Sequence, residues 1–343
     1  MRNFKIVGIF LAIFLLAQSC GFGGPAGGGI YKSEDTGETW GVSDKLARDS
    51  ELSLGPVHSI GVEVDEVNPK NVYLIATTSG LYKSQDQGTT WTGILQNAEI
   101  MAVSVNPKNN SEIFAGGRVG GLAKLFRSQD EGQTWIEVFS ESRGDNTFVS
   151  AVEVMPNSPE VILIGLSTGE IVRSLNSGLS WNLLSTLVGR VMKITASENQ
   201  SSVVTALSLK NGLYRSNNGG AEWSNITGSV KASQYLDFES VKTNGSAYYL
   251  STVKGLYRTG DVGGTWQQLE LPSHQSSTAV SAVTVNQSKP SEIYAVIELT
   301  VYKSTDAGIT WQTRIISAVG TVRDIMIDPA EPNIMYAALG LPL

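Results

Sequence analysis

Tyr82-Lys83-Ser84-Gln85-Asp86-Gln87-Gly88-Thr89-Thr90-Trp91 is one of seven copies of a single phrase. The other copies end at Trp40, Trp135, Trp181, Trp223, Trp266 and Trp311, so every tryptophan of the 343-residue chain belongs to one. Successive tryptophans lie 51, 44, 46, 42, 43 and 45 residues apart. A period of about 40–50 residues is that of a four-stranded propeller blade, a unit that buries its apolar faces only by stacking on copies of itself.

The chemistry of the phrase is local. A short strand such as Gly80-Leu81-Tyr82-Lys83 runs into a tight turn. There a carboxylate can accept hydrogen bonds from turn N–H groups that have no ladder partner. The acceptor positions are Asp35, Asp86, Asp130, Asn176, Asn218, Asp261 and Asp306. Asparagine keeps the acceptor oxygen and loses the charge, so the shared requirement is hydrogen bonding rather than catalysis or metal binding. Gly88 and its counterparts supply the positive φ of the turn. Each tryptophan opens the returning strand, large enough to fill the wedge between blades, and Trp91, Trp135, Trp181, Trp223, Trp266 and Trp311 are expected in the core. A basic residue also recurs at Lys32, Lys83, Arg127, Arg173, Arg215, Arg258 and Lys303. A position that repeats in every blade reads as a long stem covering the neighbouring strand rather than as an anion-binding ring.

Two further strands precede each phrase, giving strands A to D with the phrase on the C–D turn. The chain ends decide the blade number. Past the leader the sequence starts with only C and D, around 29–40, and it finishes with only A and B, around 320–338. Complementary half-blades close a ring without a free edge. The expectation is an all-β, single seven-bladed propeller over 29–343, with about 45 residues per blade.

The first residues place Arg2 and Lys5 ahead of the apolar run Ile6–Ala17. That run is too short for a membrane span and reads as a secretory signal peptide, residues 1–19. The only cysteine, Cys20, follows Leu16-Ala17-Gln18-Ser19. This resembles the lipobox of bacterial lipoproteins, although leucine is usual where Ala17 stands. It implies a lipid-bearing Cys20, a short tether over 20–28, and a monomer held at the bacterial cell envelope. The charge of -7 leaves no electrostatic footprint for nucleic acid. One cysteine and two histidines, His58 and His274, offer neither an internal disulfide nor a zinc site. No metal or cofactor is expected.

The phrase, with its Ser-x-Asp-x-Gly-x-Thr-Trp pattern, resembles the Asp-box or BNR repeat. Over nearly all of 29–343 the chain is similar to the photosystem II assembly and stability factor family, and more distantly to the sialidase-like superfamily. The first resemblance implies a non-enzymatic protein-binding scaffold for a membrane complex. Sialidases carry an Arg-Ile-Pro motif, whereas the only Arg-Ile here is Arg314-Ile315. Sorting-receptor propellers share the box but add blades and a cysteine-rich region absent from this sequence. The alternative is a propeller that binds or cleaves glycans, for which Glu63, Asp65, Asp145 and Asp237 are available carboxylates. Loops on a rigid scaffold are where binding residues sit. The face formed by the D–A linkers and B–C turns is therefore the expected partner site, with Arg118, Arg143, Asp145, Arg190, Lys231 and Arg323 as candidates and Gly41–Pro56 as its longest linker.

Overall fold

Apolar residues on both faces of a strand require cover on both sides, and the B strands meet that demand. Val72–Ala76, Ile162–Leu166, Val204–Ser208, Tyr248–Thr252 and Ile293–Ile297 are buried at every residue. D strands such as Asn182–Thr186 and Gln312–Ile315 face outward and are largely exposed. The computed structural model describes residues 29–55, 57–141, 146–272 and 278–340, and shows seven antiparallel blades ordered A-B-C-D from the centre outward. The A strands are Thr321–Ile327 in blade 1, then Ser59–Val64, Glu99–Val105, Val149–Val154, Val191–Ala196, Tyr235–Ser240 and Ala282–Val285 in blades 2 to 7.

The ring closes as the half-blades require. Strand C of blade 1, Gly29–Ser33, lies between strand B, Met335–Gly340, and strand D, Gly41–Val42. Five residue pairs from Gly29↔Leu339 to Ser33↔Met335 join N- and C-terminal segments into one sheet.

Each C–D turn is built as its sequence suggests, with one addition. The Asp86 carboxylate accepts from the Thr90 N–H at 2.8 Å, the Thr90 hydroxyl at 2.7 Å and the Ser84 hydroxyl at 2.8 Å. Asn176 keeps the geometry, accepting from Ser180 N–H at 2.9 Å while its amide donates to the Ser180 hydroxyl. Not only the glycine but also the residue before it has positive φ: Thr36, Gln87, Glu131, Ser177, Val262 and Ala307 lie at 54 to 62°, with Gly219 in the fifth copy at 68°. The N–H of that residue explains the strain. It bonds a carbonyl of the same blade's A–B turn, as Gln87 does Lys70 at 3.0 Å and Val262 does Ser246 at 2.9 Å, stapling two hairpin tips together.

The tryptophans split into two classes. Trp91 is buried, whereas Trp40, Trp135, Trp181, Trp223, Trp266 and Trp311 are half-buried. They sit on the outer strand, where no further layer covers them. Several still bridge blades: the indole N–H groups of Trp135, Trp181 and Trp266 donate to the carbonyls of Ile94, Val138 and Ile226 in the preceding blade, at 2.7 to 2.9 Å. Trp91 differs because of the Gly41–Pro56 linker. Instead of standing as a loop on the expected binding face, its described part forms a strap: Lys45–Leu46 pairs in parallel with Thr90–Trp91, and Asp49–Ser53 folds back on it. Apolar Leu46 and Leu54 have somewhere to go only at that edge.

The repeated basic residues cover their neighbours. Lys83, Arg127, Arg258 and Lys303 lie over the rings of Tyr73, Phe114, Tyr249 and Tyr294, their direct cross-strand partners, at 5.7 to 5.9 Å.

Candidate functional site

The inner edge of every A strand leaves N–H groups without a ladder partner, because no further strand lies inside it. Side chains of the preceding blade fill that need. Asp324 accepts from Val62 N–H at 3.0 Å, Ser104 from Val154 N–H at 3.2 Å, Glu153 from Ala196 N–H at 2.7 Å, and Asp237 from Val283 N–H at 3.0 Å. Lys193 reverses the polarity by donating to the Phe238 carbonyl at 2.9 Å. Five blade junctions are thus clamped from within the central channel.

The channel encloses about 420 Å³; Glu63, Glu153, Asp237, Glu239 and Asp324 line it together with Lys193, while Arg323 and Lys242 line its two ends. Lys193 lies 3.1 Å from Asp237 and 3.5 Å from Glu239. Burial works against its ammonium, yet Asp237, Glu239 and Asp324 hold its pKa above the ordinary lysine value. Asp324 is pushed up to about 6 by burial and by Asp237. Glu153 is pushed up to about 8 by burial, against the pull of the Ala196 N–H. Glu63 occupies the position on blade 2 that Glu153 and Ser104 hold on blades 4 and 3, opposite Tyr73, Leu163 and Phe114. It makes no hydrogen bond or ion pair among the described residues. Burial first, then the charges of Glu66, Glu153 and Asp324, raise it to about 8, so it holds a proton at neutral pH.

The two channel mouths differ. In six blades the A strand begins with a bulge, which turns Ile60, Met101, Ser150, Met192, Leu236 and Arg323 to the channel. This mouth, on the face where the A strands start, is apolar apart from Ser150 and Arg323. The opposite mouth is spanned by Lys242 of blade 6, paired with Glu66 of blade 2 at 2.6 Å and with Glu198 of blade 5.

The candidates from sequence do not gather into one cluster. Arg118, Arg190, Lys231 and Arg323 all lie on the A-start face, on different blades. Arg118 is spent on Glu99 and Asn146, at 3.0 and 2.8 Å. Arg190 stacks over Phe148 at 5.8 Å, and burial lowers its pKa. Arg323 buries its Nε without a hydrogen-bond partner; beside it His58 is held below its usual range by burial and by that charge. Lys231 is exposed. Arg143, Asp145, His274, Cys20 and the leader lie outside the described residues. Of the carboxylates considered for glycan chemistry, Glu63 and Asp237 reach the channel. Asp65 instead caps its own A–B turn, accepting from the N–H groups of Val67 and Asn68 and the amide of Asn71. Sequence reading passed over Glu153, Lys193, Glu239 and Asp324. Their signal was a charge inside an apolar strand, as in Val152-Glu153-Val154 and Met192-Lys193-Ile194. Among the described residues, no three His, Cys, Asp or Glu side chains are arranged to hold a metal ion.

No curated protein matches the chain. The family described as "Sortilin, neurotensin receptor 3" (Sortilin-Vps10) matches residues 211–322. Among solved structures, the GH74 xyloglucanase from Xanthomonas campestris is 17% identical with a TM-score of 0.68, over 83% of this chain and 51% of its own. The chain spans about half the length of such GH74 enzymes. YCF48 from Cyanidioschyzon merolae is 16% identical with a TM-score of 0.63, over 83% and 96%. A structure of YCF48 bound to D1 peptide is 17% identical with a TM-score of 0.62, over 82% and 92%. At these identities the likeness is one of fold: this chain is a seven-bladed β-propeller, similar to YCF48 over most of that chain and to about half of a GH74 enzyme.

Proposed function

We propose that the chain is a non-enzymatic, exported Asp-box propeller that binds a polypeptide of a membrane complex through the face where its A strands begin. The observation that carries this reading is the division of labour between channel and face. Four of the five inner carboxylates and the inner lysine are spent on blade junctions or on each other, while Arg190 and Arg323 on the A-start face have no carboxylate partner among the described residues. YCF48, of similar length and fold, is recorded with a D1 peptide. Strand C of blade 1 starts on that same face, at Gly29. With Cys20 lipidated and an eight-residue tether of at most about 28 Å, the binding face turns towards the membrane. The Ser, Asp, Gly and Thr geometry of the C–D turns supports the Asp-box assignment.

Affinity capture of the membrane-anchored protein, with mass spectrometry, tests the proposal. Recovery of one stoichiometric membrane complex, weakened by Arg190→Glu, is expected; no fatty-acid label in the wild type, or label retained in Cys20→Ser, would remove Cys20 from the scheme. One observation favours a second reading, glycan cleavage: the unpartnered Glu63, protonated at neutral pH, has the state a general acid needs. Turnover of any glycoside in a substrate panel, abolished by Glu63→Gln, would replace the scaffold proposal with it.

A further inference from the structure

Cations without a carboxylate partner are concentrated in one sector of the A-start face. On blades 5 and 6 four cations stand on consecutive loops: Arg190 in linker 187–190, Lys210 in hairpin 209–212, Lys231 in linker 226–234 and Lys254 in hairpin 253–255. These loops contain no Asp or Glu. Backbone bonds lace them together, from Leu209 N–H to Arg190 carbonyl at 2.9 Å, from Tyr235 N–H to Leu209 carbonyl at 2.9 Å, and from Val253 N–H to Gln234 carbonyl at 3.3 Å. The Lys210 stem lies against Gly189, next to Arg190. Lys210, Lys231 and Lys254 are exposed, and none of the four cations has a carboxylate partner among the described residues. Among the described residues ten other lysines and arginines are ion-paired. In a chain of net charge -7 this local excess of positive charge stands out and attracts an anionic partner.

We infer that this strip docks an acidic segment of a polypeptide lying along the loops of blades 5 and 6. The inference rests on the protein-binding reading above and names the chemistry of its partner. Acidic residues bound the strip, Glu170 on blade 4 and Glu270 and Glu298 towards blade 7. A flat anionic bilayer would meet those acids as well as the cations, whereas one extended chain fits between them. Val188, 62% exposed beside Arg190, adds an apolar contact that a peptide side chain can use. Complementary charge of this kind sets partner choice and encounter rate.

The test is fluorescence anisotropy with three labelled peptides, alternating Glu-Ala, Gln-Ala and Lys-Ala, against the described propeller in its full chain. The Glu peptide should bind and the Gln and Lys peptides should not, with roughly ten-fold weaker binding on raising salt from about 50 to about 300 mM. Lys210→Glu with Lys254→Glu should weaken the Glu peptide by roughly ten-fold or more, and Lys70→Glu with Lys108→Glu on the opposite face should not. Equal binding of Glu and Gln peptides, or full binding by the Lys210/Lys254 variant, overturns the strip. So does binding of phosphatidylglycerol vesicles without binding of the Glu peptide. The two proposals fail separately. A partner captured equally well by the Lys210/Lys254 variant leaves protein binding standing and removes the strip; a wild type that binds the Glu peptide but captures no protein does the reverse.

Discussion

The rim and the channel of this molecule are built on opposite rules. At the rim, seven C–D turns repeat one set of bonds, and even where Asn176 and Asn218 replace aspartate the acceptor stays in place. Along the channel the A strands use two levels. Asp324, Lys193 and Asp237 meet the next blade from the residue after the bulge, Ser104 and Glu153 from two residues further on, and at that second level Glu63 of blade 2 meets nothing among the described residues. Repetition marks what every blade needs to fold. Variation at equivalent positions marks where one blade does something its neighbours do not.

The comparison breaks most visibly at Trp91. As the one fully buried tryptophan, it should cost about 3–5 kcal/mol on Trp91→Ala in denaturant unfolding, against about half that for Trp135→Ala at the half-buried rim. Equal losses would mean that the strap covering Trp91 contributes nothing. Lys193→Met should come next, at about 1–3 kcal/mol, because it leaves Asp237 and Glu239 facing each other without their cation and the Phe238 carbonyl without its donor. That loss should shrink as the pH is lowered and Glu239, whose pKa burial already raises, takes up a proton. In the turns, Asp86→Ala should cost about 1–2 kcal/mol by stranding turn donors, while Asp86→Asn should cost a few tenths. A large loss for the asparagine would show that charge, not acceptance, is what the turn requires.

Glu63 sharpens the comparison through pH. Its folded pKa lies above the ordinary value, so between about 4.5 and about 8 the folded state holds a proton that the unfolded chain has released, and stability falls as pH rises through that window. Glu153 acts in the same direction. Glu63→Gln should therefore leave stability at pH 5 nearly unchanged and raise it at pH 8 by on the order of 1 kcal/mol, read as a flatter melting temperature against pH. An unchanged pH profile would mean that Glu63 is solvated and ionised.

The same contrast explains what could be read before folding. Period, blade number, ring closure and turn chemistry are local or repeated, and so were legible in the seven phrases and two half-blades. The channel was not, because Glu153 and Lys193 acquire meaning only when strands some 40 residues apart in sequence lie side by side. The strap was misplaced for a related reason: Gly41–Pro56 has loop composition, and only the edge beside Trp91 gives Leu54 a core to pack on. The basic strip was half visible, in Arg190 and Lys231. Lys210 and Lys254 join it through backbone bonds that no spacing announces.

The way the ring is closed also has a mechanical meaning. Strand Gly29–Ser33 is held on both sides, by Met335–Gly340 and by Gly41–Val42, with Gly29 at its leading end. A pull on that end loads the strand in shear, so that its rungs with the C-terminal strand must yield together rather than unzip one at a time. The propeller is thereby made to bear tension at the very joint where its two chain ends meet.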